Sequence, residues 1–498
     1  MNKLTIKNNG SKMLKLLPII LLILTELSMA QNNDLANRLY NDYELFKEKS
    51  ITQRRFKHAD IIPLIKQFKD NKLFKVEKAG ESAEGRNIYL ITLGSGSKRI
   101  FLWSQMHGDE PTATMALFDI FNFFKAVGYD DYKQSVLNNC TIYFMPMVNP
   151  DGAEVHERRN IFDIDINRDA VRQQTPEGIL LRSTFEKLKA DFGFNLHDQS
   201  TGYSVGNTFK SAAISFLAPT TNFEKTVNNV QGDAMKLISE LYLMLSKIIP
   251  GHVAKYTDDF EPRAFGDNFQ KWGTSTILIE SGGWKDDTEK QFLRKINFIT
   301  LLSSFESIAK GNYNRFTSEI YDQIPLNDKY MMDVILRNLK TSMEGKEYLI
   351  DVGINQNEQN FNNSKQFYYR SSIEDLGDLS VYYGYKDLDL RGMSIEPGRI
   401  LETEFNSLGE ISNLNFDELH QKGYTTVRLA DKFDDPFTNL PINISLTENI
   451  NTKTNITMGN HPDFVIKQNG VVKYIVINGF LRDVINKTGE IKNGAVYR

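Results

Sequence analysis

Between residues 87 and 312 the chain alternates short apolar runs with longer segments whose apolar residues recur at helical spacing. Ile88 to Leu93, Arg99 to Ser104, Thr141 to Val148, Phe192 to Leu196 and Ser275 to Ile279 predict strands. Thr112 to Val127, Pro176 to Ala190, Phe223 to Ile249 and Thr288 to Lys310 predict helices. Strands and helices in alternation imply an α/β fold, with a mixed, largely parallel twisted sheet and helices on both of its faces. Such sheets gather their chemistry at the carboxyl ends of strands.

From residue 313 onward the pattern changes. Short Tyr-, Val- and Ile-containing runs such as Ser380 to Tyr385 and Val471 to Gly479 are broken by Asn, Gly and Asp, which predicts a β-rich accessory domain over 313–498. The polar stretch Asn355 to Ser364 reads as a loop. A chain of 498 residues is long enough for two cores, which puts the α/β domain at 55–312 and the accessory domain after it.

The first thirty residues stand apart from both. Lys3, Lys7, Lys12 and Lys15 precede the apolar run Leu16 to Leu24, and Ser28 and Ala30 are small. This predicts a secretory signal peptide over 1–30, cleaved after Ala30, and so a periplasmic or secreted protein. The alternative, a retained anchor, asks for an apolar run of roughly 20 residues. Residues 31–54 read as a short leader or a structural helix. No later run is long and apolar enough for a membrane span in the mature chain. Net charge of -4 gives no bulk attraction to nucleic acid or anionic lipid. The single cysteine, Cys140, lies in a predicted strand and reads as a buried, inert thiol, which sets aside both a disulfide framework and cysteine catalysis.

Candidate chemistry enters where the strands end. Arg99 to Ser104 runs into Gln105-Met106-His107-Gly108-Asp109-Glu110-Pro111, with Pro111 placed to open the next helix. An imidazole and a carboxylate three residues apart on such a loop can converge on one zinc ion. A catalytic zinc takes a third protein ligand and keeps a position open for water. The run Phe192 to Leu196 delivers His197 at its carboxyl end as that ligand. Between them lie Asn149-Pro150-Asp151-Gly152, Arg158-Arg159-Asn160 and Asp165-Ile166-Asn167-Arg168-Asp169. Peptide hydrolysis builds negative charge on a carbonyl oxygen, which one guanidinium can stabilise, and a second can grip a terminal carboxylate. The strand Thr276 to Ile279 delivers Glu280 just before Ser281-Gly282-Gly283, where a partly desolvated carboxylate can take a proton from water and return it to an amine.

In this order the residues resemble the carboxypeptidase A-like family of zinc metallopeptidases. The resemblance covers about residues 55 to 312 and includes Glu84-Gly85-Arg86 ahead of the first strand. It implies one Zn²⁺ per chain held by His107, Glu110 and His197, with Glu280 as general acid and base activating zinc-bound water. It further implies that Arg158, rather than Arg159, polarises the scissile carbonyl, and that Asn167 and Arg168 receive the substrate's terminal carboxylate. Tyr256 corresponds to the family's mobile tyrosine. Asp169 stands where the family often has asparagine, and its charge is expected to bear on Arg168. The implied function is removal of C-terminal residues from extracytoplasmic peptides, including peptidoglycan-derived ones. Two other functions fit the same residues: a zinc amidase or deacylase of cell-wall stem peptides or N-acyl amino acids, and a non-catalytic peptide-binding module on a decayed peptidase fold.

Overall fold

The computed structural model describes residues 34–343, 345–446 and 456–498, so the predicted signal peptide lies outside the described residues. Residues 34–42 are helical. The chain divides into two compact units, the first running to Gly206 and resuming over Lys210–Asp328, the second made of Asn207–Phe209 and Lys329–Arg498.

The first unit contains the strands β1 (Phe74–Glu81), β2 (Asn87–Leu93), β3 (Lys98–Ser104), β4 (Cys140–Met145), β5 (Phe192–Asp198), β6 (Ser204–Val205), β7 (Ile214–Leu217), β8 (Val253–Lys255) and β9 (Ser275–Ser281), with Asn327–Asp328 pairing antiparallel to β6. All but β6 form one sheet in the order β1-β2-β4-β3-β5-β9-β7-β8. Its middle, β4-β3-β5-β9, is parallel, while β1-β2, β2-β4 and β9-β7 pair antiparallel. The fold is thus the mixed α/β architecture expected from the strand and helix pattern.

Period-two alternation explains why the central strands are apolar throughout. Ile100 and Leu102 of β3 join the larger core cluster, together with Phe192, Phe194 and Leu196 of β5 and Ile277 and Ile279 of β9. Phe101 and Trp103 of β3 face the other way into a second cluster, with Leu181, Leu188, Phe265 and Phe269. The first face is covered by Thr112–Lys125 and Gln291–Lys310, the second by Pro176–Leu188 and Phe265–Lys271. By the same alternation His197 and Glu280 point away from the larger cluster, toward the second face. The helix predicted from Phe223 begins only at Asn229, because the Asn228 side chain accepts from the Gln231 amide at 2.9 Å and fixes the start there.

A buried ion pair ties the segment before the sheet to the long Gln291–Lys310 helix. Arg294 Nε and Nη2 meet Asp119 Oδ2 and Oδ1 at 2.7 and 2.5 Å, and both side chains are fully buried. Asp119 also accepts from Tyr43 Oη and the Glu48 amide, and Arg294 Nη1 donates to the Ile51 carbonyl. Asp119→Asn would leave the guanidinium buried without its counter-charge. It is expected to cost about 3–5 kcal/mol of folding stability, read from the shift in a denaturant unfolding curve.

The second unit is β-rich. One sheet is built on the antiparallel ladder of Met331–Met343, Lys346–Phe361 and Gln366–Gly377, and continues through Ser394–Pro397 to Phe464–Gln468, Val471–Ile477 and Phe480–Asp483. Asn355 to Phe361 is strand rather than the loop its polarity predicts, pairing in register from Asn355 with Ser372 to Phe361 with Gln366. Asn355 to Phe361 itself has no buried position, so no apolar alternation marks it. A five-stranded sheet with Ile411, Val427, Leu429, Ile442 and Ile444 in its core carries two short helices, Leu408–Ser412 and Phe416–Gln421.

Candidate zinc centre and active site

The loop after β3 is shaped by its backbone. Gln105 adopts φ of 51°, a left-handed conformation uncommon outside glycine. Its side chain donates to the Gly108 carbonyl at 3.0 Å. The amides of Val148 and Asn149 bond to the carbonyls of Ser104 and Gln105, laying the loop after β4 alongside. A Cβ on Gly108 would come within 2.0 Å of the Gly152 carbonyl carbon, so this close approach requires glycine. Asn149-Pro150-Asp151-Gly152 opens the helix Pro150–Val155 rather than forming a surface turn, with Asn149 Oδ1 accepting from the Gly152 amide. Buried Asp151 accepts from Ser82 Oγ, the Glu84 amide and Arg86 Nη1, which joins the Glu84-Gly85-Arg86 segment to the same loop.

Three side chains from two strand ends then meet. His107 Nδ1 lies 2.7 Å from Glu110 Oε1, and His197 Nδ1 lies 2.7 Å from Glu110 Oε2. The two Nδ1 atoms are 3.1 Å apart. Among the described residues, His107, Glu110 and His197 are the group whose ligand atoms all fall within 4.8 Å of one another, and all three are buried. With the proton of each neutral imidazole on Nε2, both Nδ1 atoms and the carboxylate oxygens are acceptors, and acceptors crowded in this way are stabilised by a cation among them. Two nitrogens and a carboxylate fit zinc by donor type.

The surroundings favour positive charge at this point. Burial alone would lower the His107 pKa, but Glu110 and Asp165 outweigh it and push the imidazole up to about 9. Burial opposes ionisation of Glu110 too, yet the two histidines hold its carboxyl well below the usual range. His107 Nε2 is 3.1 Å from Asp165 Oδ1, a carboxylate behind the ligand that fixes the ring's tautomer and direction. Asp165 also accepts from Arg158 Nε and Nη2, at 3.1 and 3.0 Å. Arg158 Nη1 reaches Glu110 Oε1 at 3.2 Å, so its guanidinium borders the cluster.

Glu280 arrives by register. His197 and Glu280 are paired residues of the parallel β5 and β9, and side chains paired in this way share a face. Glu280 is 9% exposed. Burial, then the charge of Glu110, drives its carboxyl well above the usual range, as suits a group that exchanges protons. Tyr256, just after β8, feels that neighbour: burial raises its phenol, and the Glu280 charge raises it further.

Asn167 and Arg168 follow Asp165 on a short 3₁₀ turn, Ile166–Arg168, whose Asn167 amide donates to Asp165 Oδ1 at 2.9 Å. Asn167 Oδ1 accepts from the Phe265 amide. Asp169, whose charge was expected to bear on Arg168, is buried and accepts from the amides of Gln174 and Thr175 and from Thr175 Oγ1. Its carboxylate is spent on the approach to the helix Pro176–Leu188. Arg168 instead lies beside Glu261, with Nε 3.2 Å from Oε2.

Part of the chain is similar to known proteins. Residues 62–215 match the family model described as zinc carboxypeptidase. The likeness is to the zinc carboxypeptidase family. The carboxypeptidase SOL1 of Arabidopsis thaliana is 27% identical over 139 residues, which is 25% of this chain and 28% of that protein. An uncharacterized protein of Zymomonas mobilis is 26% identical over 127 residues, 24% of this chain and 33% of its own length. The match thus spans a third or less of the curated relatives. A metallo-carboxypeptidase of Burkholderia cenocepacia superposes on 51% of this chain and 69% of its own, at 16% identity and a TM-score of 0.42.

The structure therefore brings His107, Glu110, His197 and Arg158 together, with Glu280 on the ladder position beside His197, Tyr256 in electrostatic reach of Glu280, and Asn167 and Arg168 on the turn that follows Asp165. Sequence reasoning assigned no task to Asp165, although the carboxylate that commonly backs a ligating histidine was a signal available for it. The pairing of Glu261 with Arg168 could not be read locally, because the two lie far apart in the chain. The predicted thiol, Cys140, is buried, and burial pushes its pKa up to about 11. Among the described residues no helix is long and apolar enough to cross a membrane.

Proposed function

We propose that the first unit removes C-terminal residues from peptides outside the cytoplasm, as a zinc carboxypeptidase whose ion is held by His107, Glu110 and His197. The observation that carries this reading is the convergence of those ligands beside a buried glutamate that shares a ladder position with His197. Zinc, when bound, supplies a Lewis acid that polarises a peptide carbonyl and acidifies water. Glu280 takes a proton from the attacking water and returns it to the departing amine. Arg158 donates toward the carbonyl oxygen as negative charge builds there. Asn167 and Arg168 receive the terminal carboxylate, and Tyr256 stands beside the reacting carbonyl as a hydrogen-bond donor. Export by the segment 1–30 would deliver the enzyme to free and cell-wall-derived peptides.

The pairing of Arg168 with Glu261 favours keeping a second reading, a zinc amidase or deacylase that needs no terminal carboxylate. Digestion of a peptide library by the full chain, followed by mass spectrometry and metal analysis, separates the two. Stepwise loss of single C-terminal residues, with zinc bound near one per chain, is the expected result. Cleavage confined to muropeptides or acyl amino acids would instead mark the amidase, and no cleavage by zinc-loaded protein would remove both.

A further inference from the structure

The guanidinium assigned to the substrate's carboxylate already has a carboxylate beside it. Arg168 Nε is 3.2 Å from Glu261 Oε2, while its Nη1 donates to the Asn167 carbonyl at 2.8 Å. Arg263 engages the same carboxylate with both edges, Nε to Oε1 and Nη2 to Oε2, each at 2.9 Å. Glu261 thus bridges two arginines.

The position of Glu261 is set by main-chain bonds. Its own amide donates to Asp267 Oδ1 at 3.0 Å, and its carbonyl accepts from Ala264 N at 2.9 Å. The loop is then fastened to the turn that carries Arg168: the Ala170 amide donates to the Arg263 carbonyl at 3.1 Å, and the Phe265 amide to Asn167 Oδ1 at 2.9 Å. These bonds hold the Glu261 backbone beside the turn that carries Arg168, within reach of its guanidinium.

A guanidinium binds a carboxylate best through two parallel N–H bonds, and a second carboxylate on the same group weakens that grip through repulsion. Arg263 gives Glu261 somewhere to remain when Arg168 changes partner. We propose that Glu261 is a built-in competitor for Arg168, displaced by each incoming C-terminal carboxylate, and that it sets how strongly the site prefers substrates with a free terminal acid. This rests on the reading of Arg168 as the carboxylate receiver. In functional terms Glu261 restrains affinity for short acidic-ended peptides and speeds their release.

The test compares an N-acetylated dipeptide acid with its C-terminal amide, by calorimetric titration into the zinc-loaded full chain and by steady-state kinetics. Glu261→Gln is expected to bind the acid about three- to tenfold tighter, with the amide changed less than about twofold, the span between a screened surface pair and a charge-assisted one. KM for the acid should fall by the same factor while kcat holds. Glu261→Asp, which keeps the charge but withdraws it by one methylene, should lie between. Equal changes for acid and amide, or weaker acid binding in Glu261→Gln, would overturn the proposal and show a merely structural loop contact. Absence of turnover in the natural chain would remove the carboxypeptidase reading, whereas the acid-over-amide shift is read by binding alone.

Discussion

Changing Glu280 to Gln is expected to lower kcat by about 10²- to 10⁴-fold, the usual contribution of a positioned proton carrier. The substitution keeps shape and volume in a buried site, so the unfolding midpoint and zinc content should stay at the levels of the natural chain. Measurement of kcat beside metal analysis separates this loss from failure to hold the ion. The physical reason lies in the position of the group. A carboxylate driven up by burial and by the Glu110 charge is a stronger base than a free one, and an amide cannot take up that proton at all. Undiminished turnover in Glu280→Gln would take Glu280 out of the proposed chemistry.

The second large effect belongs to His197. His197→Ala removes one of the inward-facing nitrogens and leaves Glu110 with His107 alone. Zinc affinity should fall by more than about 100-fold, beyond what the loss of an orienting partner behind a ligand costs. Peptide cleavage should drop to background. Thermal unfolding gives an independent readout: ligand present at a thousand times its Kd stabilises a folded chain by about 4 kcal/mol. Added zinc should therefore raise the unfolding midpoint of the natural chain and leave that of His197→Ala unmoved. An equal rise in both would place the ion elsewhere.

How much of this was legible in the sequence depends on how far each feature reaches along the chain. The central strands announced themselves, because burial on both faces demands unbroken apolar runs such as Phe101 to Trp103 and Ile277 to Ile279. The edge strand Phe74–Glu81 did not, since one buried residue among half-exposed and exposed neighbours leaves no such run. Likewise Asn355 to Phe361 looked like a loop because Asn355 to Asn360 is an unbroken polar run, while the ladder that makes it a strand uses only backbone. At the site, His107 and Glu110 share a loop and His197 and Glu280 end apolar runs, so local pattern sufficed to nominate them. The partners of Arg168 and Asp169 depend on tertiary placement. Asp169 caps the approach to a helix, and the charge that meets Arg168 comes from Glu261 in a loop far along the chain.

The shared rung of β5 and β9 bears on how the proposed site can vary. The spacing between an ion ligand and the proton carrier is indexed to the repeat of a parallel ladder, a lattice that sequence drift in the surrounding loops leaves untouched. Insertions around the rim can therefore remodel which peptides are admitted without detuning the reaction, whereas a slip of a single residue between these two strands would turn the acid to the opposite side of the sheet and silence it.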